Sequence, residues 1–248
     1  MGRLSDRIYR HFENPGLLSV VHDLKLEFSW VIEAGCHDGR DTLKFASLPN
    51  VTEIFAFEPD SVAMTQARKR LSGHKDLVHF SNLALMDKPG FVSIHDHHGE
   101  LGTGNTIFKF SRDSSIDALK CSTLDLEIPY PKDGGLLWLD VEGSPHLVLE
   151  GATTVMQKVV IAQIEVDLHS TSELRQSNFK YVHEIMDKLG FALVFAPLHP
   201  GFFGDVIYIR KSQLSFFWTV RCAFLTLTYL ALHKSLFPLL KKPALSNL

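Results

Sequence analysis

Val31-Ile32-Glu33-Ala34-Gly35-Cys36-His37-Asp38-Gly39 is the stretch that decides the fold. An apolar run ends in an acid, a glycine-containing turn follows, and a helix is expected to begin near Arg40. Where a strand gives way to a helix the backbone turns sharply and must let a ligand approach, which gives Gly35 and Gly39 a physical reason to be glycine. Helix N-terminal amides are expected to point into the same crevice. The spacing is E-x-G-x-x-x-G, not the G-x-G-x-x-G that cradles a pyrophosphate. A carboxylate at Glu33 suits a ligand carrying a positive amine, although the same residues also fit a tight turn with purely structural glycines.

Two further strand ends strengthen the ligand reading. Phe55-Ala-Phe-Glu-Pro-Asp60 places Glu58 at the tip of the next strand, where an acid can accept hydrogen bonds from both hydroxyls of a ribose. Leu137-Trp-Leu-Asp-Val-Glu-Gly143 ends a third buried run. Asp140 and Glu142 alternate by two there, and so are predicted to share a side at the carboxyl end of a central strand.

Outward from these motifs, predicted strands at 30–33, 54–58, 78–82, 136–141, 159–166, 191–195 and 206–210 alternate with helical stretches at 60–71 and 172–189. Several strands are apolar at consecutive positions, as a strand covered by helices on both faces requires. Asp60 is the expected cap of the first helix and Gly190 the stop after the second. Residues 100–115, rich in Gly, Thr, Ser and Asn, read as a loop that is either a binding segment or a connector.

At 248 residues the chain has material for one large domain with its own core. A net charge of −3 gives no basic face and no reason to expect nucleic acid. Three widely spaced cysteines without a C-x-x-C fit a reducing compartment, and no secretory stretch follows the charged N-terminus. Gly2 lacks the Ser or Thr of a myristoylation signal, since position six is Asp6. The expected location is cytoplasmic, with or without membrane association. Residues 1–212 form the expected catalytic domain, with 1–28 as a helical lead-in. Residues 213–248 form a hydrophobic helical tail. Arg221 interrupts its apolar stretch, leaving less than a bilayer span needs. The 214–240 segment is therefore read as a helix packed on the domain or on a second subunit, as an interfacial membrane helix, or as a tail anchor.

Taken together, Glu33–Gly39, Phe57-Glu58-Pro59, residues 82–85, Ser122-Thr-Leu-Asp125 and Leu139-Asp-Val-Glu-Gly143 resemble the FkbM family of methyltransferases. The resemblance runs from about residue 30 to 165, and "LDVEG…VLEGA" is its most specific phrase. It implies an α/β, Rossmann-like class I methyltransferase sandwich: a seven-stranded, mostly parallel sheet with helices on both faces. It also implies S-adenosylmethionine as cofactor and O-methylation of a hydroxyl on a sugar, glycan or small natural product. Cofactor contacts are expected at Glu33, Gly35, Cys36, His37, Asp38, Gly39, Glu58, Pro59 and Asp140, with the adenine near Asn82 and Ala84. Two departures stand out. The family usually has Asp where this chain has Glu33, and Ser144-Pro145-His146 follows Gly143 where a small residue and then Glu are usual.

On the acceptor side, Glu165-Val-Asp-Leu-His169 alternates, so its polar side chains are predicted to share a face. The expected base is His169 or Glu142, with Asp140 a further catalytic candidate. No metal is expected, although Asp140, Glu165 and His169, or the run His95-Asp-His-His98, contain ligand-type residues. The competing functions are a nicotinamide-dependent oxidoreductase, disfavoured by the missing G-x-G-x-x-G, and a non-catalytic cofactor-binding or membrane-tethered scaffold. The expected partner is a small-molecule or carbohydrate acceptor.

Overall fold

The computed structural model describes residues 16–93, 95–96, 105–106, 114–115, 119–141, 143–167, 178–197 and 203–235. In chain order, the first elements are α1 (Leu17–Leu24), β1 (Trp30–Ala34), α2 (Arg40–Ala46), β2 (Glu53–Phe57), α3 (Ser61–Arg70) and β3 (Val78–Ser81). Short strands follow: β4 (Ala84–Leu85), β5 (Gly90–Val92), β6 (His95–Asp96), β7 (Asn105–Thr106), β8 (Ser114–Ser115) and β9 (Leu119–Ser122). The second half holds α4 (Leu124–Glu127), β10 (Gly135–Leu139), α5 (Pro145–Glu150), β11 (Val159–Asp167), α6 (Phe179–Lys188), β12 (Phe191–Phe195), β13 (Phe203–Arg210) and α7 (Phe216–Ser235).

Seven strands form the main sheet in the order β12-β13-β11-β10-β1-β2-β3. β1, β2, β3, β10 and β11 pair in parallel, while β13 runs antiparallel between β11 and β12. All five residues of β1 are buried, Glu33 among them, as a strand covered on both faces requires. Alternate side chains feed two cores. Ile32, Ala34, Leu137 and Ile164 pack with Val148 of α5 and Val182 and Met186 of α6. Val31, Ile54 and Leu136 pack on the opposite face with Leu17 of α1, Phe45 of α2 and Met64 of α3. The strand order reverses beside β1, with β2 on one side and β10 on the other, which opens a crevice at their carboxyl ends.

The expected helix signals are in place. Asp60 Oδ1 accepts from the amides of Val62 at 2.7 Å and Ala63 at 3.0 Å. Asn178, which the sequence places inside the second helix, is instead extended and caps α6 by accepting from the Lys180 amide at 2.7 Å. Gly190 follows α6 in the left-handed region. Some bounds shift. The strand predicted at 136–141 ends at Leu139, because the Asp140 amide makes its last link to Ala34 O at 2.9 Å before Gly143 turns the chain. Asp140 therefore stands just beyond the strand, not within it. Inside the segment read as a loop, residues 105–106 and 114–115 pair on either side of β6; residues 100–104 and 107–113 lie outside the described residues. The first half of the helix predicted at 172–189 also lies partly outside them, at 172–177.

Candidate active site

β1 delivers the first acid. Glu33 lies opposite Ala56 of β2 and Trp138 of β10, on the face that carries Val31. Beyond it the chain turns left-handed at Gly35, with φ 85°. A Cβ there would fall 1.7 Å from the carbonyl oxygen of Asp140, so only glycine lets the tips of β1 and β10 come this close. The Gly35 and Cys36 amides both donate to Phe57 O, at 2.9 and 3.0 Å, which ties the turn to the end of β2. Gly39 closes the turn at φ 78°, where a Cβ would meet Leu71 at 2.9 Å and Ala67 at 3.1 Å.

His37 also adopts a left-handed conformation, with φ 45°, and this aims its amide at the second acid. Glu58 Oε2 accepts from the His37 amide at 2.9 Å, and Oε1 accepts from the Asp60 amide at 2.8 Å. A carboxylate offers about four acceptor positions, so each oxygen retains capacity for a ligand hydroxyl. Asn82 braces the same corner, its Nδ2 donating to Glu58 O at 2.7 Å and Pro59 O at 3.0 Å.

The two acids differ in how well they are satisfied. Burial raises Glu58, and the Asp60 and His37 amides oppose the shift. Glu33 is 1% exposed. Burial pushes its carboxyl up to about 8, with smaller contributions from Asp41 and Asp140. The Thr42 amide and hydroxyl lie beside it and pull the other way. Even so, Oε2 of Glu33 and Oγ1 of Thr42 each end without a well-formed hydrogen bond among the described residues. Burying such groups unpaired is costly. An orphaned acceptor at the tip of a central strand is what a ligand ammonium would satisfy.

The other predicted contacts separate by role. The Cys36 side chain is buried in the core beneath the turn and feels both Glu33 and Glu58. The His37 ring is about half exposed. The Asp38 carboxylate is held by Arg70 Nη2 at 2.7 Å and Arg40 Nε at 3.0 Å, while Arg70 Nε donates to Asp38 O at 2.8 Å; these contacts clamp the turn to α3. Ala84 is buried in β4, packed with Met86 and Cys121. Asp140 is exposed at the crevice end of β10 and contributes to the field at Glu33. Glu142 and His169 lie outside the described residues, as do His97 and His98. Among the described residues no group of three or more His, Cys, Asp or Glu side chains is arranged to hold a metal ion.

Sequence reasoning missed Thr42, whose only signal is a hydroxyl on the inward face of the helix after the turn. It also gave no role to Asp125. That carboxylate accepts from Thr153 Oγ1 at 2.9 Å and from the amides of Thr154 and Val155, at 2.9 and 2.8 Å from its nearer oxygens. The Ser122-Thr-Leu-Asp125 motif is thus a brace for the chain leading into β11. Pro145 takes the first turn of α5, where a missing amide costs nothing. His146 beside it is buried, which lowers its pKa.

A seven-stranded sheet of this order, with helices on both faces and acids at adjoining strand tips, defines a Rossmann-like methyltransferase. The chain belongs to the FkbM methyltransferase domain family, whose model matches residues 33–193. It is 25% identical over 205 residues to the 2-O-methyltransferase NoeI of Sinorhizobium fredii (strain NBRC 101917 / NGR234), covering 74% of this chain and 80% of that protein. A solved structure of methyltransferase FkbM from Methylobacillus flagellatus KT superposes with a TM-score of 0.50 at 13% identity. That match covers 73% of this chain, which spans 43% of the other.

Proposed function

We propose that the enzyme uses S-adenosylmethionine to O-methylate a hydroxyl of a sugar, glycan or small natural product. The observation that carries this reading is the buried, unsatisfied Oε2 of Glu33, set beside a turn that only glycine can make. Glu33 would receive the amino group. The turn from Gly35 through Cys36, His37 and Asp38 to Gly39 would line the methionyl chain. Glu58, with Pro59 beside it, would take the ribose hydroxyls, and Asn82 and Ala84 would flank the adenine. When bound, the cofactor supplies an electrophilic methyl carbon. The name of the NoeI relative, a 2-O-methyltransferase, supports a hydroxyl acceptor.

The protein's own contribution is to hold the acceptor oxygen in line, an effect worth up to about 7–11 kcal/mol. A base removing its proton adds about 10²–10⁴-fold in rate. We assign that role to His169 or Glu142, with Asp140 at the tip of β10 as the remaining candidate. The three cysteines are buried and unpaired, which supports a reducing, cytoplasmic setting.

Calorimetric titration tests the cofactor. Binding of S-adenosylhomocysteine with no response to NADH is the expected result, and the reverse result removes the reading. Tight binding with no methylated product from any hydroxylated acceptor would instead leave a cofactor-binding scaffold.

A further inference from the structure

The last 43 residues do not share the character of the rest of the chain. After Asp205 there is no acidic residue, while Arg210, Lys211, Arg221, Lys234, Lys241 and Lys242 are basic. Residues 206–248 therefore carry +6 and residues 1–205 carry −9. Charge asymmetry of this size marks a segment with a partner of its own.

α7 occupies the centre of this segment and packs against β12. Cys222 is buried, with Trp218, Leu225 and Thr226 half-buried on the same side. The opposite side is apolar too. Phe216 is 86% exposed and Phe224 72%, with Phe217, Val220 and Leu227 beside them. At 100° per residue these five fall on one continuous face turned away from the domain. A helix that is hydrophobic all round belongs in an apolar setting, and here only half of it has one. Elsewhere among the described residues the exposed large apolar side chains sit singly on separate elements, such as Val62 on α3, Phe91 on β5 and Leu126 on α4. At the edge of the face, Arg221 lies over the Trp218 ring with 4.7 Å to the centroid, so its charge is held beside the apolar strip.

We infer that this outer face of α7 docks on an anionic membrane surface. It lies in the plane of the interface and does not cross it: no helix among the described residues is long and apolar enough to span a bilayer. Arg210 packs over the Phe191 ring and Lys211 pairs with Asp187. The charge left for headgroups is therefore that of Arg221 at the edge of the face and of Lys234, Lys241 and Lys242 later in the sequence. An apolar face accompanied by such charge matches a surface of acyl chain beneath phosphate and carboxylate headgroups. A two-fold pairing of α7 with its copy would cover the same apolar face. It would also bring two acid-free basic segments together, with no countercharge in either.

Sedimentation of the full chain with phosphatidylcholine vesicles, with and without phosphatidylserine, tests this. Binding is expected to the anionic vesicles only and to weaken as salt rises from about 0.1 M to about 0.5 M. Phe217→Ser with Phe224→Ser should lower the partition coefficient by about 100-fold or more, the effect of two buried aromatic rings. Because both rings are exposed, the thermal midpoint should not change, which distinguishes lost docking from lost folding. Lys241→Glu with Lys242→Glu should reduce binding and its salt dependence together. The inference fails if the protein stays in solution with both vesicle types, binds both equally, or binds unchanged with the two phenylalanines replaced. It also fails if sedimentation velocity shows a dimer that the phenylalanine variant alone dissolves.

Discussion

Glu33 keeps one carboxyl oxygen buried and unsatisfied, so its protonation is coupled to both folding and ligand binding. Its pKa is about 8 in the fold, against about 4.3 in an unfolded chain. Between those values the folded state holds the extra proton, so the stabilisation is complete below the lower value and disappears as pH rises through 8. Chemical denaturation of the ligand-free protein should therefore show stability falling by a few kcal/mol from about pH 5 to about pH 8.5, and Glu33→Gln should flatten that fall. A ligand ammonium reverses the preference. At pH 7 cofactor binding should release close to one proton, read as a buffer-dependent calorimetric enthalpy that Glu33→Gln abolishes. Glu58 acts differently, because two amides already fix its orientation. Glu58→Ala should weaken cofactor binding about 10–100-fold, the range of one charge-assisted hydrogen bond, while His169→Ala should leave affinity nearly intact and reduce turnover. Equal effects on affinity would show that the crevice is misassigned.

Among the elements, α3 has a low-cost control in its cap. Asp60→Ala should cost about 1 kcal/mol, read as a lowered thermal midpoint with cofactor affinity changed little. α7 is more consequential, because Leu214 just ahead of it packs on the core at the face of α1, α2 and α3, and Cys222 within it is buried. Deleting 214–248 should lower the midpoint by about 5–15 °C while barely changing cofactor affinity. Four strand spacings separate β12 from β1 in the sheet order, about 19 Å. The elements easiest to read in the sequence were those with local causes: doubly covered strands as unbroken apolar runs, Asp60 as a cap, Gly35 and Gly39 at a turn. Val141 extended the pattern of β10 past its ladder because it packs on the core without pairing. The strands β4 and β5 are too short to show a period. Asp38 and Asp125 look like Glu33 in the sequence. What separates a clamp from a ligand site is Arg70, 32 residues downstream, or Thr153, 28 residues downstream, and only the fold brings these together.

At the scale of the molecule, the strands whose tips carry the cofactor acids and the glycine turn, β1, β2 and β10, all end before residue 140, whereas β13 comes later and is the antiparallel strand between β11 and β12. Ribosomal synthesis thus delivers the piece that completes the sheet long after the ligand site has been made. Until residues 203–210 emerge, β11 presents an unpaired strand edge from Ile161 to Asp167, the residues that β13 will cover. Such an edge invites pairing with other chains. A premature stop upstream of 203 should therefore yield insoluble protein instead of a weakly active enzyme, measurable as the soluble fraction of a 1–200 fragment beside the full chain. Translational errors in this protein would be cleared as aggregates, even when the methyl-transfer crevice itself has been translated in full.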